Sequence, residues 1–347
     1  MLAAYAIGAD ESRPLDKLEV GERPIPEPGQ GFVRLAVSAA ALNHHDLWTL
    51  RGVGAPPSSY PRTLGCDVVG RVDCYGPGTE EILPTGTVVV AHAVVTCGRC
   101  NACLGPDETY CRHFALLTEG SLEGTLAEYC LVPAANIFPA PLGLPAAEVA
   151  CLPTSYLTAY RMLFTKAGLK PGNTVLLQGA GGGLSTAAER LALGGGLRVI
   201  VASRSEHKRQ AAEGRGVHRV VGTGREAVSQ VLSFTGGEGV DAVIESVGEP
   251  TWATSLRSLR RGGAIVVAGA TAGADPPADL RRVFWRQLQV IGSTMGTRAE
   301  FRSLLSMVEA AGIHPLIDST VGLADARNAF VKLESGDFAG KLVVLVG

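Results

Sequence analysis

Cys97, Cys100, Cys103 and Cys111 fall within fifteen residues, in the pattern C-x2-C-x2-C-x7-C. Thiolates at this spacing can surround one tetrahedral zinc without help from distant segments. The residues between them include Gly98, Arg99, Asn101, Ala102, Gly105 and Pro106. These are small, polar or turn-forming, which suits a metal-holding loop. Four sulfur ligands leave no open coordination position, so a zinc held there is structural rather than catalytic. Two disulfides or four independent thiols are the alternatives, and the intracellular character of the chain favours the metal. The other cysteines, Cys66, Cys74, Cys130 and Cys151, stand singly among apolar neighbours and read as small buried hydrophobes.

A second cluster able to do chemistry is Gln178-Gly179-Ala180-Gly181-Gly182-Gly183-Leu184-Ser185, set between a strand pattern and a helix pattern. Glycines there let the backbone approach a pyrophosphate, whose charge sits at the helix N-terminus. The strict G-x-G-x-x-G fails because position 184 is Leu. A shifted register places Gly179, Gly182 and Ser185 at the tight positions, and Gly183 and Leu184 join Gly179 and Gly182 as expected cofactor-binding residues. The next strand ends Val201-Ala202-Ser203-Arg204-Ser205, with Lys208 one turn on and no carboxylate before Glu206. An Asp or Glu at that strand end would accept from the ribose 2′-hydroxyl of NAD. Two hydroxyls and two cations suit a 2′-phosphate, so the expected cofactor is NADP(H), with Ser203, Arg204 and Lys208 around the phosphate. The alternative is a solvated basic helix start.

These clusters need elements to hold them. Up to about residue 150 the chain reads as β-rich: apolar runs at Gly31 to Val37, Asp67 to Cys74 and Thr87 to Ala93 are separated by Pro and Gly. From Cys151 the rhythm changes to strands alternating with helices. Strand patterns lie at Val175 to Gln178, Val199 to Ala202, Val220-Val221, Ala242 to Glu245, Ala264 to Ala268 and Val290-Ile291. Helix patterns include Thr154 to Lys166, Leu184 to Leu193, Glu206 to Gly214, Arg225 to Phe234 and Thr251 to Arg260. This alternation implies an α/β fold with a parallel sheet covered on both faces. A helix over Arg298 to Ala311 and a strand over Lys341 to Val346 close the chain. With 347 residues, 46% of them hydrophobic, two cores are affordable. A net charge of −2 gives no general attraction to nucleic acid or anionic membrane. The start lacks the basic and apolar regions of a signal peptide, and no apolar run reaches the length of a membrane span. The expected compartment is the cytoplasm.

A four-cysteine lobe upstream of a dinucleotide fold resembles the medium-chain dehydrogenase/reductase superfamily. The resemblance runs over essentially the whole chain. It includes Gly65-Cys66-Asp67-Val68-Val69-Gly70, Gly124 to Tyr129, Leu157-Thr158-Ala159-Tyr160 and Gly340-Lys341. It implies a GroES-like β-barrel catalytic domain over 1–152, an inserted doubly wound Rossmann domain over 153–293, and a return segment over 294–347, with the active site in the cleft between the two folds. It also implies Thr158, Gly269, Ala270, Ser293, Thr294, Met295 and Lys341 near the cofactor, and a homodimer or homotetramer. The apolar strand near Val290 could extend the sheet across a two-fold axis.

Zinc alcohol dehydrogenases of that superfamily hold a catalytic zinc on a Cys, a His and a third Cys or carboxylate. The corresponding positions here are Asn43, Cys66 and Thr154, with Asp67 beside Cys66. Asn and Thr are poor zinc ligands. The stretch Ala41-Leu42-Asn43-His44-His45-Asp46 instead looks like that of quinone oxidoreductases and enone reductases, which transfer hydride without a metal. The expected reaction is hydride transfer from NADPH to a quinone or to a C=C conjugated with a carbonyl in a small-molecule substrate. Asn43 would donate its amide to the developing oxyanion and His45 would donate a proton or hydrogen bond, while Asp46 orients the loop. Trp48 reads either as a stacking face for the substrate or as a core aromatic. Three alternatives stand beside this reading: an unorthodox zinc site from His44, His45, Cys66 and Asp67, an alcohol or aldehyde dehydrogenase, and a non-catalytic NADP-binding protein.

Overall fold

The long strand Phe32–Ala41 organises the first part of the molecule. Its side chains alternate between partly exposed and buried until Ala39, Ala40 and Ala41, which are all buried. Small residues at that end allow both faces to be covered. The strand pairs with Val69–Tyr75, with Tyr129–Pro133 and with Lys341–Leu345, all antiparallel. Gly70 faces Ala36 so closely that a Cβ would fall 2.4 Å from the Ala36 carbonyl oxygen, so only glycine fits that crossing. The result is a seven-stranded sheet that also takes in Val88–Ala91, Ile137–Pro139 and Ile317–Gly322. A three-stranded sheet, Leu18–Glu22, Leu2–Ala6 and Arg62–Thr63, accompanies it.

This computed structural model describes all residues, 1–347. They fall into two units: Met1–Ser155 with Gly296–Glu309 and His314–Gly347, and Tyr156–Met295 with Ala310–Ile313. No helix is long and apolar enough to cross a membrane.

The second unit carries a six-stranded parallel sheet in the order 219–221, 198–202, 174–178, 240–245, 259–267, 289–292. Its central strand Thr174–Gln178 is buried throughout, as a parallel strand covered on both faces must be. Leu176, Ile200, Val243, Ile265, Val231 and Leu256 belong to one core cluster that joins sheet and helices. The strand Leu259–Val267 starts earlier than the sequence pattern suggests, at Leu259 rather than Ala264, and the helix before it, Glu249–Ser258, stops short of Arg260. Arg260 instead pairs with Asp241 at 2.8 Å, and a register shift between Val240 and Ala242 absorbs the extra residues.

Candidate functional site

At the end of Phe32–Ala41 the chain turns through Asn43 into the helix His44–Leu50. Asp46 ties this turn to the next loop. Its Oδ2 accepts from the Asn43 backbone N–H at 2.8 Å and its Oδ1 from the Gly65 N–H at 2.9 Å. Gly65 has φ +94°, and a Cβ there would lie 2.6 Å from Thr125 Oγ1. Asp46, fully buried, therefore orients the two loops.

The two fastened loops enclose a buried polar cluster. Asn43 Nδ2 donates to Asp67 Oδ2 at 2.9 Å, and lies 3.3 Å from the Ala41 carbonyl and 3.6 Å from Cys66 Sγ. Lys341 Nζ donates to Asn43 Oδ1 at 2.7 Å and to the Leu42 carbonyl at 2.7 Å, and lies 3.5 Å from Asp67 Oδ2. Thr154 Oγ1 donates to Asp67 Oδ1 at 2.5 Å and lies 3.5 Å from Cys66 Sγ. An ammonium cannot accept and an ionised carboxylate cannot donate, so these partners fix which end of the Asn43 amide faces which group. Burial pushes the Asp67 carboxyl above its usual range, against the opposing pull of Lys341, Asn43 and Thr154. Burial likewise raises Asp46, and raises the Cys66 thiol well above its usual value, with Asp67 and Asp46 adding to it.

The Asn43 amide hydrogens face Asp67, the Ala41 carbonyl and Cys66. The Lys341 ammonium is directed into the same cluster, beside Asp67.

His45 stands apart from the cluster. Its Nε2 is 2.9 Å from Glu119 Oε1, while its Nδ1 is buried and has no partner. Burial acts to raise the Glu119 carboxyl, but His45 and the Leu116 N–H outweigh it and hold it below its usual range. His44 is exposed, and its pKa is lowered by desolvation, Lys341 and Arg51. His44, His45, Cys66 and Asp67 thus do not converge as a ligand set. Trp48 is 42% exposed and so is not a core aromatic. Glu119 was missed by sequence reasoning: it is 74 residues from His45, and no spacing links the two.

The cysteine lobe hangs from the short hairpin Val94–Val95 with Ala115–Leu116. Its four sulfurs all lie within 4.8 Å of one another. Individual separations are 3.5 Å for Cys100–Cys103, 3.6 Å for Cys97–Cys111, 3.8 Å for Cys100–Cys111 and 3.9 Å for Cys97–Cys103. A tetrahedron with Zn–S of about 2.3 Å has edges of about 3.8 Å, so these sulfurs sit where zinc ligands would, and too far apart for disulfides. The Arg99 and Cys100 N–H groups help to hold the Cys97 thiol down to about 6, while Cys111 beside it is pushed up to about 11. The donor set fits one structural zinc.

In the second unit, the glycine turn, Ser203, the Gly269 loop and Ser293 lie just past the carboxyl ends of parallel strands, where open α/β sheets take their ligands, while Thr158 sits in the helix Leu157–Tyr160. Gly179 (φ +79°) and Gly181 (φ +92°) need the left-handed region, whereas the shifted register placed Gly179, Gly182 and Ser185 at the tight positions. Gly182 is instead the N-cap of the helix Gly183–Gly194 and supplies no side-chain cap. The first-turn N–H groups of Gly183, Leu184 and Ser185 are thus left for an anion. At the next strand end, Ser203 Oγ accepts from the Ser205 N–H at 3.2 Å, and Ser205 caps the helix that carries Lys208. Arg204 is exposed. Arg209, unremarked in the sequence, donates to the Ser203 carbonyl at 2.6 Å. The Gly269-Ala270-Thr271 loop is bound to Ser246, through Thr271 N–H to its carbonyl at 3.1 Å. Ser293 Oγ is buried and unpartnered, Thr294 follows it, and Met295 (φ +50°) meets Thr158 Oγ1 at 3.7 Å. A bare helix N-terminus and an orphaned buried hydroxyl at one end of one sheet fit a nicotinamide dinucleotide.

The alcohol dehydrogenase GroES-like domain model matches residues 29–142, and the zinc-binding dehydrogenase model matches residues 183–310. A zinc-type alcohol dehydrogenase-like protein of Schizosaccharomyces pombe is 30% identical over 348 residues, covering 97% of each chain. This chain belongs to the medium-chain dehydrogenase/reductase superfamily. An acryloyl-coenzyme A reductase of Sulfurisphaera tokodaii is 29% identical over 332 residues, covering 94% of this chain and 96% of that protein. The solved structure of an NAD-dependent alcohol dehydrogenase is similar with a TM-score of 0.92 at 35% identity, covering 100% of both chains. As a superfamily member the chain is an oxidoreductase with a GroES-like domain and a Rossmann-type parallel sheet. At the positions that the resemblance assigns to the superfamily's catalytic zinc it carries two weak ligands, Asn43 and Thr154, and the Cys66 thiol, all in contact with one another or with Asp67.

Proposed function

We propose that this protein is an NADPH-dependent reductase of a C=C bond conjugated to a carbonyl, in an enone, a quinone or an unsaturated acyl thioester, working without a catalytic metal. One observation carries the reading. The groups at the catalytic-zinc positions are mutually hydrogen-bonded around Asp67, and the compensating positive charge beside that carboxylate is Lys341. Similarity to an acryloyl-coenzyme A reductase supports the substrate class, and Ser203, Arg204, Lys208 and Arg209 support the 2′-phosphate.

A nicotinamide dinucleotide held at the Gly179–Ser185 turn would supply the hydride. The protein's own groups do the rest. Asp46, Asn43, Asp67 and Lys341 hold the loops that bear His45 in one arrangement. His45 gives hydrogen bond and proton to the oxygen or α-carbon on which charge develops as hydride arrives at the β-carbon. Trp48 offers an exposed aromatic face on the same helix. For oligomerisation, the support is an edge strand, Gln289–Gly292, with Val290 50% exposed, near exposed Phe284 and Trp285. A homodimer or homotetramer across that edge is the proposed assembly, which sedimentation would check.

The deciding experiment is an NADPH-oxidation screen over enones, quinones, unsaturated acyl thioesters and aldehydes, run with and without a chelator. Turnover of an activated double bond that survives chelation supports the reading. Chelator-sensitive turnover of alcohols or aldehydes would replace it with a zinc dehydrogenase, and NADPH binding with no turnover would replace it with a non-catalytic protein.

A further inference from the structure

The His45 ring is held on one nitrogen only. Nε2 meets Glu119 Oε1 at 2.9 Å, and the other Glu119 oxygen, Oε2, accepts the Leu116 N–H at 2.7 Å. The carboxylate is therefore fixed at both oxygens, one by backbone and one by imidazole. Its backbone is fixed as well. Thr118, the residue before it, is fully buried with φ +81°, a strained conformation for a β-branched side chain, and its hydroxyl donates to the Thr63 carbonyl at 2.8 Å. The Glu119 N–H closes a turn onto the Leu116 carbonyl at 2.9 Å. On the opposite side of the ring, Nδ1 is shielded from solvent and faces no protein acceptor or donor. Buried polar atoms are nearly always paired, so an orphan on an otherwise anchored ring marks the place of an absent group.

We propose that Glu119 is the positioning residue for His45: by accepting the Nε2–H it fixes tautomer and ring orientation, and leaves Nδ1 as the atom that meets the substrate oxygen or α-carbon. The inference rests on the reductase reading above. In the imidazolium, Nδ1–H donates. Hydride from the reduced nicotinamide forms the C–H bond at the β-carbon, and the C=C π electrons move to the carbonyl oxygen as an enolate. The Nδ1–H bond then breaks, and its proton goes to the enolate. The ring is left neutral, still donating Nε2–H to the Glu119 carboxylate, and regains a proton when product departs and water reaches Nδ1. The other charged groups around the pair are Asp46, one residue on along the same helix, and Arg62. Asp46 is held by two backbone N–H groups, and Arg62 by the Gly120 and Leu122 carbonyls at 2.8 and 3.2 Å. Neither takes the place of Glu119 at Nε2.

The test uses the full chain as wild type, Glu119→Gln, Glu119→Ala, His45→Gln and the Glu119→Gln/His45→Gln double variant. With a substrate that wild type reduces, His45→Gln should lower kcat ~10²-fold or more, in the range of a lost general acid. Glu119→Gln should lower kcat ~10-fold with little change in NADPH affinity, and should loosen the His45 tautomer preference read from 15N spectra. In the His45→Gln background, Glu119→Gln should cost nothing further. An additive loss with an unchanged tautomer would overturn the proposal and leave the reductase reading intact. A wild type that turns over no activated double bond would overturn the reductase reading instead. In that case 15N spectra of the histidine rings decide the Glu119 role by themselves. They should show His45 as the Nε2–H tautomer in wild type and as a mixture in Glu119→Ala, and the same tautomer in both would overturn it. These spectra also apply if a variant is too unstable for kinetics, by comparing wild type with the conservative Glu119→Asp variant, which should keep the tautomer.

Discussion

Lys341 Nζ lies 2.7 Å from Asn43 Oδ1, and the two residues are 298 positions apart in the chain. The pairing of Lys341–Leu345 with Ala39–Ala41 brings the last strand alongside the turn at Asn43. Both side chains are buried, and the ammonium is the cation nearest Asp67. Removing one partner of a buried ion pair leaves the other charge uncompensated, at a cost of ~3–5 kcal/mol. Lys341→Met should lose about that much stability in urea unfolding at pH 7. An unchanged midpoint would show that Asp67 does not depend on Lys341.

Asn43→Ala separates positioning from direct chemistry. The variant strands Asp67 Oδ2 and the Lys341 ammonium without their amide partner. A lost hydrogen bond to a buried charged group costs ~1–3 kcal/mol. Stability and kcat should therefore fall together, with NADPH affinity kept. A kcat loss of ~10²-fold at wild-type stability would restore the amide as an oxyanion donor.

The cysteine lobe leads to a metal count. Four sulfurs at tetrahedral separations predict one zinc per chain by elemental analysis of the purified protein. Cys111→Ser should lower zinc content and open the 97–111 loop to proteases. Two zinc ions per chain would revive a catalytic metal.

Legibility in the sequence followed the distance over which each feature is built. The cysteine lobe and the glycine turn are local, so spacing alone placed them. Even there, the need for left-handed backbone at Gly181, and not only at Gly179, depends on how the turn meets its helix. The early start of the strand at Leu259 was hidden because a bulge opposite Val240 is set by the neighbouring strand, not by local pattern. Asn43 was recognisable as a departure from a metal ligand, but the direction of its amide is decided by Asp67 and Lys341, which are remote in sequence. Glu119 left no signal at all, because a single carboxylate in a loop looks like a solvated charge until the fold places it on His45.

Cofactor choice should read out at the second strand end. Arg204 and Lys208 flank Ser203, and Arg209 braces the Ser203 carbonyl. A charge-assisted hydrogen bond to phosphate is worth ~1.5–3 kcal/mol, so Arg204→Ala or Lys208→Ala should weaken NADPH binding by ~10-fold or more. NADH, which lacks the 2′-phosphate, should be little affected. Fluorescence titration with both nucleotides checks this, and equal losses for the two would turn the assignment toward NAD.

Acid should weaken the fold through His92. The ring is almost fully buried, with Nδ1 3.1 Å from the Val94 carbonyl, Nε2 3.0 Å from the Gly296 carbonyl, and Phe301 packed at 5.6 Å. Burial lowers its pKa from 6.5 to about 4, against the opposing pull of the two carbonyls and Glu108. The unfolded chain takes up the proton near pH 6.5. A depressed folded-state value means that the stabilising contribution is complete above the unfolded pKa and is lost as pH falls through the interval between 6.5 and about 4. A difference of ~2.5 units corresponds to ~3 kcal/mol across that window. Phe at position 92 would pack against Phe301 and carry no proton. The Val94 carbonyl would keep its second donor, Asn136 Nδ2, at 2.7 Å. Urea unfolding of wild type and His92→Phe at pH 7, 5.5 and 4 should therefore show the variant losing ~3 kcal/mol less stability on acidification. Parallel losses in the two proteins would place the acid sensitivity at other groups.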